Sequence, residues 1–195
     1  MKYFFLMLSL MVLVSCTPEE NLPKPRGYFR IDLPENAYQK YAGDCPIAFE
    51  YSAFAVVEAA SKSGSETNDC RFNISYPTYK AKLHFSYHAV ENQLPKLIED
   101  SRKLVFKHVV KANAIEELDI IETNKKVYGS IFEIGGNTAS NIQFYTTDSV
   151  NHFLRGSLYF WASPNTDSIA PVLSYIRQDI KHLLSTFEWK QQLAN

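Results

Sequence analysis

KVYGSIFEIGGNTASNIQFYTTDSVNHFLRGSLYFW, residues 126–161, holds three runs of strand-forming residues separated by two sets of turn residues. Lys126 to Ile134 and Ala139 to Thr147 are rich in aromatic and β-branched side chains. Gly135-Gly136-Asn137 between them supplies residues that accept a positive φ, so the two runs fold back as a hairpin. Asp148-Ser149-Val150-Asn151 turns the chain again into His152 to Trp161. The stretch therefore predicts a three-strand antiparallel meander.

Working outward, Ile169, Val172, Leu173, Ile176, Ile180, Leu183, Leu184 and Phe187 recur at helical spacing after the meander. Asp167 or Ser168 is expected to cap that helix, with Pro171 in its first turn. Before the meander, Leu94, Leu97, Ile98, Leu104, Val105, Val109 and Ala112 predict a second helix from about Asn92 to Ala114. Earlier still, Phe72, Ile74 and Tyr76 alternate with polar residues, as do Leu83, Phe85 and Tyr87. Pro77-Thr78-Tyr79-Lys80 joins these as a hairpin. Glu58 to Asp69 is rich in Ser, Gly and charge and reads as a mobile surface loop. Tyr28 to Leu33 reads as a short strand stopped by Pro34. The order predicts an α+β domain: an antiparallel sheet with long helices packed on its faces.

Composition fits such a domain and excludes several classes. Hydrophobic residues make up 46% and charged residues 21% of 195, which excludes a disordered chain. Twenty Lys and Arg against 21 Asp and Glu leave a net charge of −1, so no general attraction to nucleic acid is expected. The amino terminus points to an envelope address. Lys2 is followed by an apolar run, Tyr3 to Val14, too short for a span of roughly 20 residues. It reads as a signal peptide over residues 1–15, ending in the lipobox-like Leu13-Val14-Ser15-Cys16. Cys16 is then the lipidated residue, carrying palmitate-type acyl chains that anchor the protein without spanning the bilayer. Residues 16–27, with Pro18, Pro23 and Pro25, form a tether, and 28–195 a single domain. Outside the cytoplasm the remaining Cys45 and Cys70 can pair. Their loop of about 26 residues gives roughly 3.5 kcal/mol in the chain-entropy model. Two reduced thiols are the alternative; neither cysteine has a nearby ligand at metal spacing.

Candidate sites thin out under geometry. His84 and His88 share a strand face but sit about 13 Å apart, too far for one zinc with bonds near 2.1 Å. Asp148, Ser149, His152 and Arg155 bring together the residue types of a hydrolase triad, yet they surround one hairpin with no nucleophile elbow or oxyanion hole. Asp148 and Ser149 are better explained as turn formers. Asp148, His152 and Arg155 are read instead as a candidate interaction surface. Gly135-Gly136 lacks the Lys-Ser/Thr of a phosphate loop. Glu99, Asp100, Arg102 and Lys103 read as a solvated helix face. No catalytic residue, metal or cofactor is expected. An envelope hydrolase, or a binder of small ligands or glycans, is the competing reading. Ser149 and Ser168 stand in Asp-Ser-apolar triplets that look like O-glycan acceptors.

Several long strings carry a resemblance: PKPRGYFRIDLP at 23–34, CRFNI at 70–74, EDSRKL at 99–104, GNTASNIQF at 136–144, HFLRGSLYF at 152–160, PNTDS at 164–168 and TFEWK at 186–190. With them the chain resembles the GldD family of gliding-motility lipoproteins along nearly its whole length beyond Cys16. The resemblance implies a non-enzymatic, membrane-anchored component of the gliding machinery, linked to type IX secretion and contacting other proteins of that apparatus. The element order also looks like a PsbP/Mog1-like α-β-α sandwich, an analogy of fold alone. Glu19-Glu20 resembles an acidic export stretch, and the outer membrane is the expected location.

Overall fold

In the computed structural model, residues 30–59, 70–161 and 166–190 are described. Among these the order is β1 (Tyr38–Lys40), β2 (Ile47–Ala48), β3 (Glu50–Ser52), β4 (Val56–Ala59), β5 (Cys70–Tyr76), β6 (Ala81–Ala89), α1 (Leu94–Phe106), β7 (Ala114–Glu122), β8 (Val127–Gly135), β9 (Ser140–Thr147), β10 (His152–Phe160), α2 (Thr166–Thr186) and β11 (Glu188–Trp189). Seven strands make one antiparallel sheet in the order β4-β5-β6-β10-β9-β8-β7. Two meanders, β4–β6 and β7–β10, thus meet at their last strands. The remaining strands form two small pairs, β1 with β3 and β2 with β11.

The expected three-strand meander is present but has a fourth member. Ala114–Glu122, expected as the end of a helix and a connection, is an edge strand on β8. Its run AIEELDIIE does not alternate, and acidic residues fall on both of its faces. Edge strands tolerate this because one side of the ladder faces water, and the charges discourage further pairing. The expected helix from Asn92 to Ala114 is correspondingly cut short. It stops at Phe106, and turns bonded His108 N–H to Val105 O and Lys111 N–H to His108 O carry the chain into β7. Val109 and Val110 are 58% and 88% exposed, so the apolar stripe ends before them. The helices have 13 and 21 residues, and the long pair foreseen on the sheet faces is not borne out.

Helix α2 follows its apolar stripe. Val172, Ile176, Ile180, Leu183 and Phe187 are buried with Ile74, Leu83, Phe85, Ile142, Phe144, Leu154 and Leu158 in the larger core. The helix begins at Thr166, so Asp167 and Ser168 lie within its first turn and do not cap it, and Pro171 falls in the second turn. Gly156, opposite Phe144 on β9 and Phe85 on β6, has no room for a Cβ, which would run into the Phe144 ring. That ring instead meets Phe85 edge-on at 5.9 Å. A second, smaller core on the opposite face joins Val105 of α1 to Phe132, Ile134, Tyr145 and Phe153.

The expected strand at Tyr28–Leu33 does not form over Arg30–Leu33; Tyr28 and Phe29 lie outside the described residues. The signal segment, Cys16 and the tether also lie outside them, as does most of the Glu58–Asp69 loop, though Glu58 and Ala59 belong to β4. Flanking that loop, a disulfide joins Cys45 to Cys70 with Cα atoms 5.7 Å apart. It fastens the segment before β2 to the start of β5. Gly136, with φ of +91°, makes the β8–β9 turn, and Asn141 Nδ2 donates to the Ile134 carbonyl at 3.0 Å to hold it.

Candidate functional site

The turn between β9 and β10 is built by Asp148. Its Oδ1 accepts the main-chain N–H groups of Val150, Asn151 and His152 at 3.0, 2.8 and 2.8 Å. Burial alone would raise its pKa, but these three donors together hold the carboxyl below its ordinary value. Ser149 takes φ of +71°, and its N–H donates to Thr147 Oγ1 at 3.0 Å. Both residues therefore shape the backbone, as side chains of this type do in tight turns. Ser149 stays exposed, whereas Ser168 is half-buried in α2.

His152 serves a different structure. Its Nδ1 lies 2.6 Å from the Tyr87 hydroxyl, and its ring stacks on Trp189 at 5.2 Å. Trp189 in turn donates from Nε1 to the Lys126 carbonyl at 3.0 Å. The imidazole thus helps seat the short strand β11 against the sheet. Arg155 is three positions further along β10, and alternation sends it to the other face. There its Nη2 donates to Gln143 Oε1 at 2.6 Å. Asp148, His152 and Arg155 do not form one patch: Asp148 caps a turn, and the other two lie on opposite faces.

The remaining expected residues are also distributed. His84 faces the edge of Tyr159 at 5.5 Å, and burial with the nearby Lys82 charge lowers its pKa. Among the described residues, no three His, Cys, Asp or Glu side chains gather as a metal set. Lys103 pairs with Glu99 at 2.7 Å and both are exposed, as a solvated helix face requires. Arg102 leaves that face; it binds Glu117 on β7 and lies over the Phe132 ring at 5.6 Å.

Two polar groupings are assembled by the tertiary fold from residues distant in sequence. Asp179 on α2 is 2% exposed, accepts Asn36 Nδ2 at 2.9 Å, and has its pKa raised by burial despite that hydrogen bond. Beside it His182 stacks on Tyr38 at 3.5 Å and reaches Glu50 at 2.9 Å. The other grouping surrounds Arg155: Gln143 and Ser157 are 1% and 2% exposed on the same side of the sheet. Period-two spacing in β10 places Arg155, Ser157 and Tyr159 together, but nothing local marks Gln143 as their partner.

No curated protein matches the chain in sequence. Among solved structures, the solution structure of cyanobacterial PsbP (CyanoP) from Synechocystis aligns with a TM-score of 0.47 and 12% identity, covering 83% of this chain and 97% of that one. The family model described as gliding motility lipoprotein GldD matches residues 18–189, from just past Cys16 to the end of β11. A match of that extent takes in every described strand and both helices, and by it the chain belongs to the GldD family of gliding motility lipoproteins.

Proposed function

We propose that this protein is a lipid-anchored, non-enzymatic adaptor of the gliding apparatus, working beside type IX secretion at the outer membrane. Residues 1–15 are the leader, Cys16 bears the acyl chains, residues 16–27 form the tether, and the domain from 28 onward meets partner proteins. The observation that carries the reading is the family match, which begins two residues after a lipobox cysteine in a family described as lipoproteins. The scattering of Asp148, Ser149, His152 and Arg155 into a turn, an aromatic stack and the far sheet face supports contact over catalysis. An acyl anchor sets orientation and local concentration, which matter more to an adaptor than to an enzyme.

The test is Cys16→Ser at the chromosomal locus, with gliding, type IX secretion and domain abundance scored together. Expected is loss of gliding while the exported domain accumulates at the wild-type level. Full motility from that soluble form overturns the anchored-adaptor reading. Fractionation with the inner membrane overturns the outer-membrane assignment.

A further inference from the structure

Helix α1 packs on Phe132, Ile134, Tyr145 and Phe153, which is the β8–β10 part of one sheet face. The larger core, with α2, occupies the reverse face. Strand register fixes what remains on the α1 side over β4, β5, β6 and the later half of β10. Val56 lies opposite Ser75, Ser75 opposite Lys82, and Lys82 opposite Tyr159, one continuous row across four strands. The next row runs through Glu58, Asn73 and His84, and the one after it through Arg71, Ser86 and Arg155. Among the described residues neither helix packs over these rows. Arg71 and His84 are exposed, and Val56 is 54% exposed. Of Asp148, His152 and Arg155, only Arg155 belongs to them.

The first clue to an occupant is an anchor. Trp161, directly after β10, is 64% exposed, although Trp is on average a well-buried residue. Its ring is nevertheless held. Lys82 Nζ lies 4.5 Å from the ring centroid, and Glu58 Oε2 fixes that ammonium at 2.7 Å. The Trp161 main-chain N–H donates to the Lys80 carbonyl at 2.8 Å. A held, exposed Trp beside Tyr159 and two arginines has the composition of an interface hot spot. The second clue is charge. Glu58 is the one carboxylate in these rows and is paired with Lys82, so Arg71 and Arg155 set the sign of the surface. Glu116, Glu117, Asp119 and Glu122 lie at the far edge of the sheet, on β7. A net charge of −1 thus conceals a basic half-face, which selects partners of opposite sign.

We propose that this half-face docks an acidic segment of a partner protein, with Trp161 as the apolar anchor and Arg71 and Arg155 as the counter-charges. The inference rests on the adaptor reading and gives it a contact surface. A second copy of this chain could offer only its acidic β7 edge. That contact is head-to-tail and does not close on itself, so it would build a filament and not a defined complex.

The test is photocrosslinking in intact cells that make the full lipidated chain. A photoactivatable phenylalanine analogue is placed at residue 56 or 84, and as a control at residue 150 on the β9–β10 turn, where Val150 is 67% exposed. Mass spectrometry identifies the captured peptide. Expected is capture of the same protein from 56 and 84, through a net-acidic peptide, and none from 150. Trp161→Ala should lower the yield about tenfold, the loss of one hot-spot contact. Arg71→Glu should lower it as far, whereas Arg71→Lys should keep it near wild type. Unfolding midpoints of the variants report folding, and Trp161→Ala carries the test if Arg71→Glu accumulates poorly. No capture above the residue-150 control overturns the surface, as do a neutral or basic peptide, a lipid or glycan adduct, or self-crosslinks. Undiminished yield in both Trp161→Ala and Arg71→Glu also overturns it. Loss of gliding in Cys16→Ser without capture at 56 and 84 removes this surface and leaves the adaptor reading. Full gliding in Cys16→Ser removes the adaptor reading whatever is captured.

Discussion

Asp148 and Asp179 are both acids with hydrogen-bond donors around them, and their surroundings move them in opposite directions. Three main-chain N–H groups outweigh burial at Asp148, whereas burial outweighs the Asn36 amide at Asp179. A raised pKa in the folded state means that ionising Asp179 opposes folding. Its contribution is fully present below the unfolded value of about 3.9 and is lost as pH rises through the higher folded value. Asp179→Asn removes that loss, so its stability relative to wild type should increase between pH 4 and pH 7 in denaturant titrations. A gap that shrinks over this interval would contradict the assignment. At His108 the Arg155 charge is the second influence after burial. Arg155→Gln should therefore raise the His108 pKa, read from imidazole chemical shifts. The sequence disclosed Asp148 because Asx turns are local chemistry. It could not disclose Asn36 with Asp179, which are 143 residues apart and meet only through the tertiary fold.

Among the elements, β5 and β6 were legible because they alternate, and β8, β9 and β10 because aromatic and β-branched runs are bounded by turn residues such as Gly135-Gly136 and Asp148-Ser149. β7 was not, because an edge strand buries little: of its nine residues only Ile120 is buried. Likewise α1 looked longer than it is, since Val109 and Ala112 keep the helical spacing although Val109 is exposed and Ala112 meets the smaller core from a turn beyond the helix end. The end of α1 makes a direct test. Val109→Ala should change stability by no more than about 0.5 kcal/mol, as exposed positions do. A helix packed through Ala114 would require a larger loss. Ile176→Ala in α2, with a side chain fully buried against the sheet, should cost about 2–5 kcal/mol by leaving a cavity. Chemical denaturation of the two variants beside wild type measures both. For β5, Cys45→Ser releases the start of the strand from the segment before β2. It should cost about 2–4 kcal/mol and lower the amount of folded protein while leaving lipidation intact, measured by unfolding and by membrane-fraction blots.

At the scale of the whole molecule, location and stability are separable. Cys16→Ser should abolish gliding with the domain still present, and Cys45→Ser should reduce gliding in proportion to lost protein, as paired motility assays and immunoblots would record. The central seam of the sheet sets a further condition. β6 and β10 pair residue 89 with 152 and residue 81 with 160, while every other neighbour in the large sheet is a hairpin partner. The amino-terminal half can form its hairpins early, but β6 then presents an open ladder until β10 arrives, and the larger core stays open until α2 follows. For a chain delivered from its amino terminus, the interval between residues 89 and 152 is a period of exposure. During it a binding chaperone, or a second nascent copy offering its own β10, would find a strand-shaped vacancy. Synthesis halted before residue 152 would yield a half-sheet with the β6 ladder open and prone to association.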